Sequence, residues 1–155
     1  MSGTLLVVYI FMGLLAGAVM PAQAGINYKL RTFLGDPVLA SFVSFLVGTL
    51  ALAGLALVQR TPVPAWGDMA RAPWWSWIGG FMGAYVVASS VILAPRLGAT
   101  AMLALIVCGQ MVASVVIDHY GWLGYRPDPV NLRRVAGTLL LVAGAWLVVS
   151  ARKGS

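Results

Sequence analysis

The sequence predicts an all-α membrane protein of five transmembrane helices, and three observations carry the prediction. Of 155 residues, 61% are hydrophobic and 9% charged, and there is no glutamate. A soluble domain carries about 25% charged residues, so soluble enzyme, secreted disulfide scaffold and disordered tail are all excluded. A helix needs about 20 apolar residues to cross a hydrocarbon core of about 30 Å. Five stretches of roughly that length follow one another, each free of Lys, Arg, Asp and Glu. The gaps between them are short and hold the helix breakers.

Helix one is expected over about residues 4–24. Ala22-Gln23-Ala24 resembles a signal-peptidase site, but the first basic residue is Lys29 and a signal peptide opens on a basic segment. The stretch is therefore kept as a helix. Gly35-Asp36-Pro37 ends the first gap and helix two follows over 37–58. Thr61-Pro62-Val63-Pro64 opens the second gap, and helix three follows over 74–93. Trp74, Trp75 and Trp77 at its start read as an interfacial aromatic belt. Pro95-Arg96 separates helix three from helix four at 98–117, and Arg126-Pro127-Asp128-Pro129 precedes helix five at 135–150. Residues 1–155 make one five-helix domain, with no segment left for a soluble one.

The charge distribution bears on orientation. Ten Lys and Arg against four Asp give a net +6, yet the basic residues are scattered through the gaps, which suits topogenic anchors and not a nucleic-acid surface. With five spans, one side of the membrane holds Arg60, Arg71, Arg126, Arg133 and Arg134. The other holds Lys29, Arg31, Arg96, Arg152 and Lys153. Orientation follows such a bias, and here the bias is zero. Dual topology follows from this, with the two orientations pairing as an antiparallel homodimer. The competing reading is a real preference concealed by the chosen boundaries. Gly13-x-x-x-Gly17 in helix one and Gly79-x-x-x-Gly83 in helix three permit close helix approach in lipid.

No catalytic constellation is present. Cys108 and His119 are the single cysteine and histidine, which leaves no disulfide, no Cys/His metal site and no nucleophile–base pair. No cofactor is expected, and no enzyme. What remains is a set of polar groups at membrane depth, where they are costly and point to function. Gln110, Ser114 and Asp118 recur every fourth residue on helix four, which puts them on one face. That face either lines an aqueous path, with Asp118 or His119 exchanging a proton, or holds helices together by hydrogen bonds up to the water boundary. Gln23 and Asn27, four apart after Pro21, suit a kinked helix end facing a ligand and suit a simple helix exit nearly as well.

Taken in order, several segments resemble a known family. They are Pro21-Ala22-Gln23-Ala24-Gly25-Ile26-Asn27, Phe45-Leu46-Val47-Gly48, Trp77-Ile78-Gly79-Gly80, Ala94-Pro95-Arg96-Leu97-Gly98-Ala99, Gly109-Gln110, Asp118-His119-Tyr120-Gly121-Trp122 and Arg134-Val135-Ala136-Gly137. The pattern resembles the YdcZ family of small five-helix membrane proteins, within the drug/metabolite transporter (EamA-like) superfamily. The resemblance implies a bacterial inner-membrane protein related to ten-helix carriers made of two five-helix halves, which move metabolites or drugs by alternating access, often against protons. The related small multidrug resistance exporters use a membrane-embedded glutamate in helix one, and this chain has none. Gln23 and Gln110 accordingly favour a neutral or zwitterionic solute, or proton coupling through Asp118 and His119.

The function expected is secondary transport of a small metabolite or drug-like solute across the inner membrane, with export implied by the family. Substrate contacts fall to Gln23, Asn27, Gln110 and Ser114, and proton coupling to Asp118 and His119. Partners are the lipid bilayer, the solute, and a second copy or a paralogous five-helix chain. A non-transporting scaffold subunit and a small dual-topology channel are the alternatives.

Overall fold

The computed structural model describes residues 3–151, and every regular element among them is helical. They are α1 (Gly3–Leu34), α2 (Pro37–Val58), α3 (Trp66–Ala70), α4 (Gly79–Tyr120) and α5 (Leu132–Ala151), with 3-10 turns at Trp74–Ile78 and Trp122–Gly124. Four helical stretches are long and apolar enough to cross a membrane: Gly3–Leu34, Pro37–Val58, Trp74–Tyr120 and Leu132–Ala151. The chain divides into two compact units, residues 1–96 and 97–155.

In the first unit α1 is longer than its apolar run. Its 32 residues extend about 48 Å at 1.5 Å per residue, well beyond the hydrocarbon thickness. It passes through Pro21 and ends at Gly35. Gln23 and Asn27 therefore lie inside a helix and not at a kinked exit. The reason is local: nothing between Gly25 and Phe33 breaks a helix, and loss of apolarity alone does not end one.

The joint after α1 explains itself residue by residue. Gly35 has φ 79° and its N–H donates to the Arg31 carbonyl at 2.8 Å, a left-handed C-terminal cap that glycine adopts without strain. Asp36 is extended, and its Oδ1 accepts from the Leu39 N–H at 2.8 Å. Pro37 then occupies the first turn, where no N–H is needed. The three residues stop one helix and start the next, and α2 has the bounds the sequence predicts.

The buried positions of this unit are mostly small: Ala24 and Asn27 on α1, Ala40 and Ser41 on α2, Ser90 and Val91 on α4. Such residues let helix backbones approach where lipid supplies no hydrophobic drive between helices. Gly83 shows the closeness, since a Cβ there would lie 3.3 Å from Cζ of Phe45. Arg31 Nη1 donates to the Val91 carbonyl at 3.4 Å and ties α1 to α4. The Trp66, Trp74, Trp75 and Trp77 side chains are exposed, as membrane-interface anchors are.

The expected gap at Pro95-Arg96 contracts to a single residue. The backbone stays helical across Pro95 and leaves the helix at Gly98, with φ 69° and ψ 163°. Only glycine adopts that conformation readily. In the second unit α4 runs on to Tyr120, and α5 begins at Leu132 behind its cap Asn131.

Candidate functional site

The second unit places a cavity of about 270 Å³ between the C-terminal half of α4 and the first turns of α5. α4 contributes Met111, Ser114, Val115 and Asp118, and α5 contributes Arg134, Gly137, Thr138 and Leu141. Both sets follow helical spacing, so each helix offers one face.

The polar centre is an ion-pair cluster. Arg134 Nη1 lies 3.4 Å from Asp118 Oδ2. The same Nη1 donates to the Asp128 carbonyl at 3.2 Å, and Nη2 pairs with the Asp128 carboxylate. Asp118 and Arg134 are each 31% exposed at the side chain, so the pair is reachable by water without being fully solvated.

Local sequence accounts for this geometry. Gly121 ends α4 with φ 64°, and a Cβ there would lie 2.6 Å from Cγ of Pro127. The missing side chain lets the 122–130 segment fold back, so that the Asp128 N–H donates to the Asp118 carbonyl at 2.8 Å. Asn131 Oδ1 then accepts from the Arg134 N–H at 3.0 Å and starts α5. Arg133 and Arg134 thus stand in the first turn of a helix, where the macrodipole disfavours cations. The carboxylates of Asp118 and Asp128 offset this for Arg134.

The hydroxyls have a defined role. Ser114 Oγ donates to the Met111 carbonyl at 2.9 Å, and Thr138 Oγ1 donates to the Arg134 carbonyl at 2.9 Å. With their protons so used, both oxygens keep lone pairs and act as acceptors. The cavity therefore combines one guanidinium with carboxylate and hydroxyl acceptors on an otherwise apolar wall.

The residues singled out from sequence separate into groups. Ser114 and Asp118 share the cavity. Gln110 does not line it: each four-residue step turns a helix face by about 40°, so Gln110 lies about 80° round from Asp118. Its side chain is exposed and makes no hydrogen bond among the described residues. His119 Nδ1 accepts from the Val130 N–H at 3.2 Å, and its ring meets Tyr120 edge-on at 4.7 Å. It braces the returning loop beside the cavity. Gln23 and Asn27 belong to the first unit, where Gln23 is exposed and Asn27 is buried with its Nδ2 lacking an acceptor. Among the described residues no cluster of three His, Cys, Asp or Glu is placed to hold a metal ion.

Sequence reasoning passed over Arg134, Thr138 and Asp128 as site residues. A signal was present in the two arginines that open a helix, an arrangement that calls for nearby carboxylates.

Comparison with known proteins bears on the whole chain. The family model described as "Putative inner membrane exporter, YdcZ" matches residues 8–147. The "Inner membrane protein YdcZ" of Escherichia coli (strain K12) is 25% identical over 138 residues, covering 86% of this chain and 89% of that protein. No solved structure matches. The match extends from α1 into α5 and agrees with the long apolar helices, so the chain belongs to the YdcZ family and is a multi-pass inner-membrane protein.

Proposed function

We propose that this chain is one half of a secondary transporter that exports a small solute across the inner membrane, coupled to protons at Asp118. The observation that carries the reading is the Asp118–Arg134 pair on the wall of an accessible cavity. A proton on Asp118 cancels its charge and leaves Arg134 with Asp128 alone. The cavity wall changes by one unit of charge, and a solute's affinity changes with it. Such a difference in affinity between two states is what coupling requires.

The donor and acceptor set favours a zwitterionic or neutral polar solute. Arg134 suits a carboxylate, while Asp118 and the Ser114 and Thr138 oxygens suit an ammonium or hydroxyl group. The volume of about 270 Å³ lies near the lower end of ligand sites, about 300–1,000 Å³.

The second half is supplied by another copy in the opposite orientation. Support comes from the five-and-five division of basic residues and from Gly98, which interrupts α4 between the third and fourth expected spans. Gln110, exposed and unbonded among the described residues, is a further solute contact, on a part of the path that the second copy completes. Gln23 and Asn27 are solute contacts of the first unit, and His119 holds the loop that returns beside the cavity through the Val130 N–H.

Solute counterflow in proteoliposomes tests the reading. A carrier accelerates uptake of labelled solute when unlabelled solute is trapped inside. Absence of flux for every solute that binds the purified protein would leave a scaffold subunit, and ungated downhill flux would leave a channel.

A further inference from the structure

The first unit holds a second polar cavity, of about 420 Å³, where α1 ends and α4 passes Pro95. Tyr28, Arg31, Thr32, Gly35, Pro95 and Arg96 line it. Two arginines on the wall of one cavity raise its positive potential and favour an anion there. The unit has two acids, Asp36 and Asp68. Asp36 is occupied as the cap of α2, accepting from Leu39, and Asp68 pairs with Arg71 at 3.6 Å. Among the described residues neither Arg31 nor Arg96 has a carboxylate within ion-pair distance.

The two arginines differ in what else holds them. Arg31 sits in the last turn of α1, where the helix dipole favours a cation, and spends one N–H on the Val91 carbonyl. Arg96 makes no hydrogen bond or ion pair among the described residues. One turn before Arg31, on the same face of α1, the buried Asn27 amide also lacks an acceptor.

We infer that this cavity binds a phosphate-bearing anion. Paired guanidinium forks match phosphate oxygens in geometry and charge. Arg31 stands in the last turn of α1 and Arg96 directly after Pro95 in α4; on the five-span reading proposed above, both lie toward one membrane face, where lipid phosphates are found. The anion is either the headgroup of an anionic lipid or a soluble phosphate, and one experiment distinguishes them.

Purified full-length protein in a neutral maltoside detergent is titrated with dihexanoyl phosphatidylglycerol, inorganic phosphate and, as a zwitterionic control, dihexanoyl phosphatidylcholine, with thermal stability as the readout. A saturable rise in Tm with phosphatidylglycerol alone assigns a lipid headgroup. A saturable rise with inorganic phosphate as well assigns a site open to soluble phosphates. In either case Arg96→Gln should weaken the apparent Kd by roughly tenfold, as expected for loss of one charge-assisted contact. Arg126→Gln, outside the cavity, should leave it unchanged. Arg31→Gln is the secondary variant, because it also removes the bond to Val91. No saturable rise with either anion, an equal rise with phosphatidylcholine, or a rise that Arg96→Gln leaves intact would overturn the inference.

Discussion

Arg134 stands 3.4 Å from Asp118, sixteen residues away in sequence, and the two groups close one end of a cavity whose remaining wall is largely apolar. The pair joins α4 to α5 and places a titratable carboxylate beside a permanent cation. Asp128 pairs with the other terminal nitrogen of the same guanidinium.

Asp118→Asn should abolish solute flux driven by a pH gradient while leaving the protein folded. A partly exposed ion pair is worth about 0–1 kcal/mol, so the stability loss should stay within about 1 kcal/mol. Arg134→Gln should reduce solute binding and flux together. Proteoliposome flux with and without an imposed pH gradient, beside thermal melts of both variants, provides the check. Normal proton-coupled transport by Asp118→Asn ends the coupling role.

Gly121→Ala should destabilise the C-terminal unit by about 1–3 kcal/mol, the cost of a strained backbone at positive φ, with the contact to Pro127 adding to it. The bond from the Asp128 N–H to the Asp118 carbonyl depends on the same turn. Transport should therefore fall with stability, and a denaturation series in detergent measures the first quantity directly.

Gln110→Ala should leave the stability of a single chain within about 0.5 kcal/mol, because the amide has no partner there. Solute affinity should weaken. A stability loss of about 0.6–2 kcal/mol with unchanged affinity would instead identify Gln110 as a hydrogen-bonding group between helices of a pair. Unfolding and binding measured on the same preparation separate the outcomes.

A C-terminal topology reporter should register both orientations, since the basic residues divide five and five. Replacing Arg152 and Lys153, which lie outside the described residues, with neutral residues should shift the mixture toward a cytoplasmic N-terminus. A wild-type reporter on one side only would remove the antiparallel homodimer and favour an oppositely biased relative as partner.

Much of the fold was legible because membrane insertion is governed by one-dimensional properties. The apolar runs and the absence of charge within them set the class, and Gly35-Asp36-Pro37 set the start of α2 through capping chemistry that involves only adjacent residues. The end of α1 was less legible. Hydropathy reports where lipid begins and ends, whereas a helix stops only where backbone chemistry stops it, at Gly35.

The site divides along the same physical line. Ser114 and Asp118 were readable as one helical face, because four-residue spacing is a property of the helix itself. Arg134 was not, since its pairing depends on the turn at Gly121, the return of the chain to Asp128 and the cap at Asn131. By itself the sequence determined an apolar helical membrane protein, its polar residues and its balanced charge. Only the tertiary structure decided which cation each carboxylate meets, because that choice rests on a chain reversal built from the left-handed turn at Gly121 and the backbone bond from Asp128 to Asp118.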